Sequence, residues 1–185
     1  MYETLWYLLK GNNKKVSMMA FTGIAATLLP AGKTVHKEFL LPVPLHSDSS
    51  SNIKMESNEA VALRETDIFI WDEAPMAPKH AIEVIDRTLR DIMGNNLLFG
   101  GKSFVLGGDF RQLLPVKPNS TCSEVVDLSI NRCSQWSKFM KFSLTQNMRA
   151  LPEEINFSNF LLDLGDGKLN STQDKVSLDH FQVFV

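Results

Sequence analysis

Ile68-Phe69-Ile70-Trp71 is an unbroken apolar run that stops at two carboxylates, Asp72 and Glu73. An alternating run suits a strand with one wet face, whereas an unbroken one suits a strand buried on both. Such a strand needs helices above and below its sheet, which points to a layered α/β fold with a mostly parallel sheet. Ser103–Leu106, written SFVL and halted by Gly107-Gly108-Asp109, is a second buried-strand candidate. Residues 16–22, VSMMAFT, are a third.

Helical patterns lie between these runs. Residues 4–10 carry Leu5, Trp6, Leu8 and Leu9 and stop at Gly11-Asn12-Asn13. Residues 23–29 read as a short helix ended by Pro30. Residues 78–93 place Ile82, Ile85, Leu89 and Ile92 at helical spacing, with Pro78 in the first turn and Gly94 at the stop. On the polar face of that helix, Glu83 with Arg87 and Asp86 with Arg90 predict ion pairs four residues apart. Residues 140–145 alternate like a half-exposed strand, and Phe157, Phe160, Leu161 and Leu164 form a last helical stripe capped by Gly165. Pro42, Pro44 and the polar residues 47–52 make a long, irregular, exposed segment.

Length and charge bound the function. A chain of 185 residues suits one α/β domain and buries enough surface for a substantial core. Its formal charge of −2 leaves no polybasic footprint, so nucleic-acid contact would have to come from a local groove. The apolar runs are far too short to span a membrane, so no membrane partner is expected. Residues 1–4 lack the basic and apolar regions of a signal peptide. Two cysteines, Cys122 and Cys133, make neither a disulfide framework nor a metal-spaced pair, which fits a reducing compartment.

Ligands of parallel sheets sit outside the carboxyl ends of the strands, so the residues directly after each apolar run matter most. Asp72 and Glu73 are the first candidates. Two carboxylates leaving a buried strand can divide phosphoryl-transfer work, one holding Mg²⁺ through water and the other orienting or deprotonating the attacking water. The plainer reading is a solvated turn. Gly107-Gly108-Asp109-Phe110-Arg111-Gln112 is the second: paired glycines let backbone pass close to a ligand or another loop, and Gln112 can bond a phosphate oxygen or the attacking water. The plainer reading is a turn in which Asp109 caps a backbone N–H. Gln146-Asn147-Met148-Arg149 is the third, with Arg149 suited to neutralise charge on a transferring phosphoryl group; a lone surface arginine is its ordinary alternative. His36 and Phe39 are aromatic residues outside the strand and helix faces and can stack on bases, although a buried loop anchor explains Phe39 equally well.

A phosphate cradle should accompany these residues. It requires Gly, four residues, then Gly-Lys-Ser/Thr between a strand and a helix. Gly32-Lys33-Thr34 has Thr27 where the opening glycine belongs, and Gly101-Lys102-Ser103 has Asn96 there and leads into a strand. The 185 residues therefore contain no such loop. His36, His46, His80 and His180 are scattered without metal-ligand spacing, and no Gly-x-Ser-x-Gly nucleophile motif occurs.

Taken together, the motifs carry a resemblance. Phe21-Thr22-Gly23-Ile24-Ala25-Ala26, Gly32-Lys33-Thr34-Val35-His36 and Ile70-Trp71-Asp72-Glu73-Ala74-Pro75-Met76 come first. Phe99-Gly100-Gly101, Gly107-Gly108-Asp109-Phe110-Arg111-Gln112-Leu113-Leu114-Pro115-Val116 and Leu144-Thr145-Gln146-Asn147-Met148-Arg149 follow in order. The series resembles the Pif-one-like helicases of superfamily I over about residues 3–170, and the Trp-Asp-Glu-Ala-Pro-Met wording is similar to the branch found in Helitron transposons. The resemblance implies a RecA-like P-loop NTPase fold and a 5′-to-3′ DNA helicase driven by ATP hydrolysis with Mg²⁺. By the same likeness Asp72 matches the Mg²⁺-holding position, Glu73 the water-activating carboxylate, Gln112 a γ-phosphate sensor and Arg149 the arginine that reaches the γ-phosphate. Residues 22–39, with Thr22, Gly23, His36 and Phe39, match the stretch that grips single-stranded or forked DNA. The family works in DNA repair, recombination and telomere maintenance, in nucleus and mitochondrion, and a monomer is the expected state.

The departures are as informative. The family's cradle opens the helix that corresponds to residues 2–9, so the chain reads as a partial RecA-like motor domain over residues 1–165 followed by a truncated tail, 166–185. The second motor domain of the family has no counterpart, and the isolated chain is expected to be catalytically inert. An alternative is a non-catalytic single-stranded-DNA-binding module or a relic transposon fragment. An unrelated P-loop-type NTPase fragment accounts for Asp72 and Glu73 but leaves the Gly108–Gln112 and Gln146–Arg149 motifs without a reason.

Overall fold

The computed structural model describes residues 1–169 apart from Leu113, Gln146 and Arg149. Contacts divide the chain after Phe139 into two compact units. The first is built on the expected sheet. Strand β1 (Val16–Ala20) lies between β2 (Lys33–Thr34) and β3 (Ile68–Asp72), and β4 (Ser103–Leu106) flanks β3, giving the order β2-β1-β3-β4 with every pairing parallel. Register sets Ala20 beside Asp72 and Trp71 beside Leu106, so the carboxyl ends of β1, β3 and β4 share one edge.

Alternation along the strands sorts the core into two faces. Met18, Ala20 and Ile70 face helix α1 (Tyr2–Gly11), which presents Tyr2, Leu5, Trp6 and Leu9, and helix α2 (Gly23–Thr27), which supplies Ala26. Met19, Phe69 and Trp71 lie in the other cluster, with residues from α3 (Val35–Glu38), α4 (Asn58–Glu65) and α5 (Lys79–Met93). Phe69, Ile70 and Trp71 are all fully buried, as the unbroken run requires. Each such side chain contributes roughly 1.5–3 kcal/mol of burial.

Local chemistry fixes the helix ends. The hydroxyls of Thr22, Thr34 and Ser57 accept the backbone N–H groups of Ala25, Lys37 and Ala60 at the starts of α2, α3 and α4. Thr121 and Glu124 form a reciprocal capping box on α6 (Cys122–Leu128). Pro78 precedes the first turn of α5, and Gly94 closes it at φ 63°.

Three expectations are corrected. β4 is not buried on both faces: Val105 lies 41% exposed, because β4 ends the sheet and the α1 cluster that covers Ile70 does not extend to it. Asp86 is not on a solvated face; it is buried and takes Arg90 bidentately at 2.9 Å, whereas Glu83 pairs with His80 and Arg87 donates to the Ser49 carbonyl. The polar segment after Pro44 is partly anchored, with the Ser51 hydroxyl donating to the Phe39 carbonyl and Ile53 buried.

In the second unit, residues 140–145 form no strand, and Met140, Phe142 and Leu144 are exposed. Alternation selects a face, but a strand also needs a neighbour for its N–H and C=O groups. The last helical stripe does become a helix, α7 (Ile155–Gly165), preceded by a 3₁₀ turn at Pro152–Glu154. The Asn147 amide donates to the Ser158 hydroxyl on that helix.

Candidate active site

The site forms where β3 and β4 end. Asp72 is the last residue of β3, and its Oδ1 accepts the Glu73 backbone N–H at 2.9 Å. Glu73 turns the chain in the left-handed region, at φ 53° and ψ 36°, which is unusual for a residue with a side chain and typical of functional turns. A 3₁₀ turn, Ala74–Met76, follows at once. Two backbone bonds then tie the strand exits together: Gly107 N–H donates to the Trp71 carbonyl at 2.8 Å, and Ala74 N–H donates to the Gly107 carbonyl at 2.9 Å.

The paired glycines allow this closure. A Cβ on Gly108, which sits at φ +146°, would lie 2.3 Å from Cδ of Pro75. A Cβ on Gly107 would lie 1.6 Å from the Tyr2 hydroxyl of α1. Gly107-Gly108 therefore serves close approach to neighbouring segments, one of the readings its sequence allowed.

Electrostatics separate the carboxylates. Asp109 accepts the Arg111 backbone N–H at 2.9 Å and its Nε at 3.0 Å. Bonding to Arg111, with a further hydrogen bond from the Gln112 side chain, holds the Asp109 carboxyl below its ordinary range. Glu73 moves the opposite way: burial, then the charges of Asp72 and Asp109, raise its proton affinity. A carboxylate with raised proton affinity beside one kept ionised is the arrangement expected of a general base.

Asp72, Glu73 and Gln112 thus belong to one loop cluster, as expected from their positions after the strands. Arg149 and Gln146 lie outside the described residues. At the neighbouring end of β1, the Thr22 hydroxyl caps α2, and nothing lies within 4 Å of where a Gly23 Cβ would be. His36 packs its ring 5.1 Å from that of Phe21, and burial lowers its pKa. Phe39 requires a correction. It is fully buried and packs on Phe69 at 5.4 Å, so its ring belongs to the core and has no face to offer a base.

Sequence reasoning missed Tyr2, because nothing along the chain connects an N-terminal tyrosine with a strand end far downstream. Among the described residues, no three His, Cys, Asp or Glu side chains are grouped so as to hold a metal by themselves. No helix among them is long and apolar enough to cross a membrane.

The ATP-dependent DNA helicase PIF1 of Candida albicans is 29% identical over 164 residues, covering 84% of this chain and 18% of its own length. The ATP-dependent DNA helicase Pif1 of Bdellovibrio bacteriovorus is 26% identical over 171 residues, covering 91% of this chain and 38% of its own length. Among solved structures, Bacteroides Pif1 bound to single-stranded DNA superposes with a TM-score of 0.75 at 26% identity, over 94% of this chain and 40% of that one. Bacteroides Pif1 in complex with ADP-AlF3 and single-stranded DNA gives 0.72 at 25% identity, over 94% and 44%. The chain thus spans less than half the length of these relatives. Residues 1–175 match the PIF1-like helicase family, and the chain belongs to that family.

Proposed function

We propose that the chain supplies the hydrolytic side of an ATP-driven DNA helicase motor moving 5′ to 3′. The observation that carries this reading is the joining of Asp72, Glu73, Asp109 and Gln112 at the carboxyl ends of β3 and β4. In this reading Glu73 accepts the proton of the water that attacks the terminal phosphate, and its raised proton affinity suits that task. Gln112, already bonded to Asp109, lies on the loop where it can register the terminal phosphate. Arg149 is proposed to counter charge on the same phosphoryl group.

The donor chemistry fits Mg²⁺. That ion takes hard oxygen ligands and is usually held by one or two carboxylates with phosphates and water, a part that Asp72 at the end of β3 suits. Bound there, Mg²⁺ supplies charge neutralisation on the phosphates. Thr22, Gly23 and His36, one strand over, are proposed to meet single-stranded or forked DNA. Action as a monomer in nuclear or mitochondrial DNA repair, recombination or telomere maintenance, or in Helitron movement, follows from family likeness alone.

The test is DNA-stimulated ATP hydrolysis by a polypeptide carrying this chain behind a Gly-x-x-x-x-Gly-Lys-Thr loop and ahead of a second motor domain. Glu73→Gln should lower turnover about 10²–10⁴-fold while nucleotide and DNA still bind. Turnover equal to that of the unsubstituted protein refutes the role of Glu73. A second reading, a non-catalytic DNA-binding module, keeps only the DNA-facing part proposed for Thr22, Gly23 and His36. It predicts salt-sensitive binding of single-stranded DNA with no hydrolysis in any context.

A further inference from the structure

The hydroxyl of Tyr2 stands in the space that the missing side chain of Gly107 leaves after β4. Tyr2 opens α1, and its aromatic ring packs with Leu5, Trp6 and Leu9 against Met18, Ala20 and Ile70. That packing aims the phenol along the sheet toward the carboxyl end of β3. A Cβ on Gly107 would sit 1.6 Å from the hydroxyl oxygen, 2.9 Å from Cζ and 3.6 Å from Oδ1 of Asp72. Three elements therefore meet at one point: the first turn of α1, the end of β3 and the turn after β4. A tyrosine phenol is protonated at neutral pH and can donate, and the Tyr2 side chain is hydrogen-bonded to Asp72.

Asp72 has few other restraints. Its Oδ1 takes the Glu73 N–H, and no lysine or arginine forms an ion pair with it among the described residues. A carboxylate held by one backbone bond is free to swing about its side-chain torsions, and a metal-binding carboxylate loses affinity when it does.

We propose that Tyr2 is a positioning residue for Asp72: its hydroxyl, seated in the space left by Gly107, donates to the Asp72 carboxylate and fixes the orientation in which that carboxylate meets a divalent cation. The inference deepens the reading of Asp72 given above and rests on it. It also gives Gly107 a specific reason. No positive φ requires a glycine there; the phenol does.

The test measures Mn²⁺ binding to the 185-residue chain by electron paramagnetic resonance, with thermal melting of each variant alongside. Tyr2→Phe keeps the ring and its packing and removes only the hydroxyl. It should weaken Mn²⁺ binding about tenfold with little change in melting temperature, and Asp72→Asn should weaken it further. Gly107→Ala should lower the melting temperature in the presence of Tyr2 and lower it less in a Tyr2→Phe background, a coupling that independent sites do not show. Unchanged Mn²⁺ affinity in Tyr2→Phe, with Asp72→Asn still weakened, overturns the role of Tyr2 and leaves the role of Asp72 standing. Unchanged affinity in Asp72→Asn, or no Mn²⁺ binding by the chain at all, overturns both. Additive effects of the Tyr2 and Gly107 substitutions overturn the shared-space explanation.

Discussion

At the scale of single residues, backbone geometry decides which positions can change. Gly108 has φ +146° and faces Pro75, so Gly108→Ala meets both a disfavoured conformation and a 2.3 Å contact. It should cost about 3 kcal/mol, read as a lower midpoint in urea denaturation. Phe39 and His36 lie three positions apart and part company in the same experiment. Phe39→Ala removes a fully buried ring and should cost about 3–5 kcal/mol. His36→Ala should cost about 1 kcal/mol, and any larger effect of it should appear in single-stranded-DNA affinity. An equal loss of stability in both variants contradicts the division between core and surface. The placement of Asp72, Glu73 and Gln112 at the sheet edge was legible in the sequence, because each stands at or after the end of a strand. Tyr2 was not legible, because only the folded sheet brings α1 to Asp72.

At the scale of elements, the hub of the larger unit is Asp86 on α5. Besides Arg90, it accepts the Phe99 backbone N–H at 2.6 Å and Nε2 of Gln135 at 3.1 Å. One buried carboxylate thereby ties α5 to the 3₁₀ segment Leu98–Gly101, where Phe99 adopts φ 50°, and to the segment before Trp136. Burial opposes its charge, but the bonds from Arg90, Gln135 and Phe99 outweigh that and lower its pKa. In the unfolded chain the same carboxyl has a pKa near 3.9 and binds a proton first as pH falls. The stabilisation from Asp86 is therefore full above about pH 4 and disappears as pH drops through the lower folded value. Asp86→Ala should cost about 2–3 kcal/mol at neutral pH, and Asp86→Asn should flatten the acid limb of stability against pH. An unchanged acid limb in Asp86→Asn contradicts the hub. The i,i+4 spacing predicted the Asp86–Arg90 pair but not its burial, since Phe99 and Gln135 reach Asp86 only through tertiary packing. Residues 140–145 failed in the reverse sense, having the pattern of a strand and, among the described residues, no neighbour to pair with. α4 escaped notice because it buries only Ala60 and Leu63.

At the scale of the whole molecule, the order β2-β1-β3-β4 lines up three loop clusters along one sheet edge, from Thr22-Gly23 through Asp72-Glu73 to Gly107–Gln112. The parallel α/β architecture was legible because β3 could be buried on both faces only inside such a sheet. With its −2 charge, the chain should bind single-stranded DNA weakly, with affinity falling steeply as salt rises from 50 to 200 mM. Fluorescence anisotropy of a labelled oligonucleotide reads this, and salt-independent binding contradicts a phosphate-directed surface. The 185-residue chain should show no ATP turnover, because it carries no phosphate-cradling loop. Turnover abolished by Glu73→Gln would overturn that expectation. The most direct measurement is an NMR titration of the isotopically labelled chain with millimolar Mg²⁺ and ATP. Amide shifts concentrated at Asp72, Glu73, Gly107, Gly108, Asp109 and Gln112 are the predicted result. Shifts absent there, or confined to other parts of the sheet, would contradict a nucleotide site at the carboxyl ends of β3 and β4.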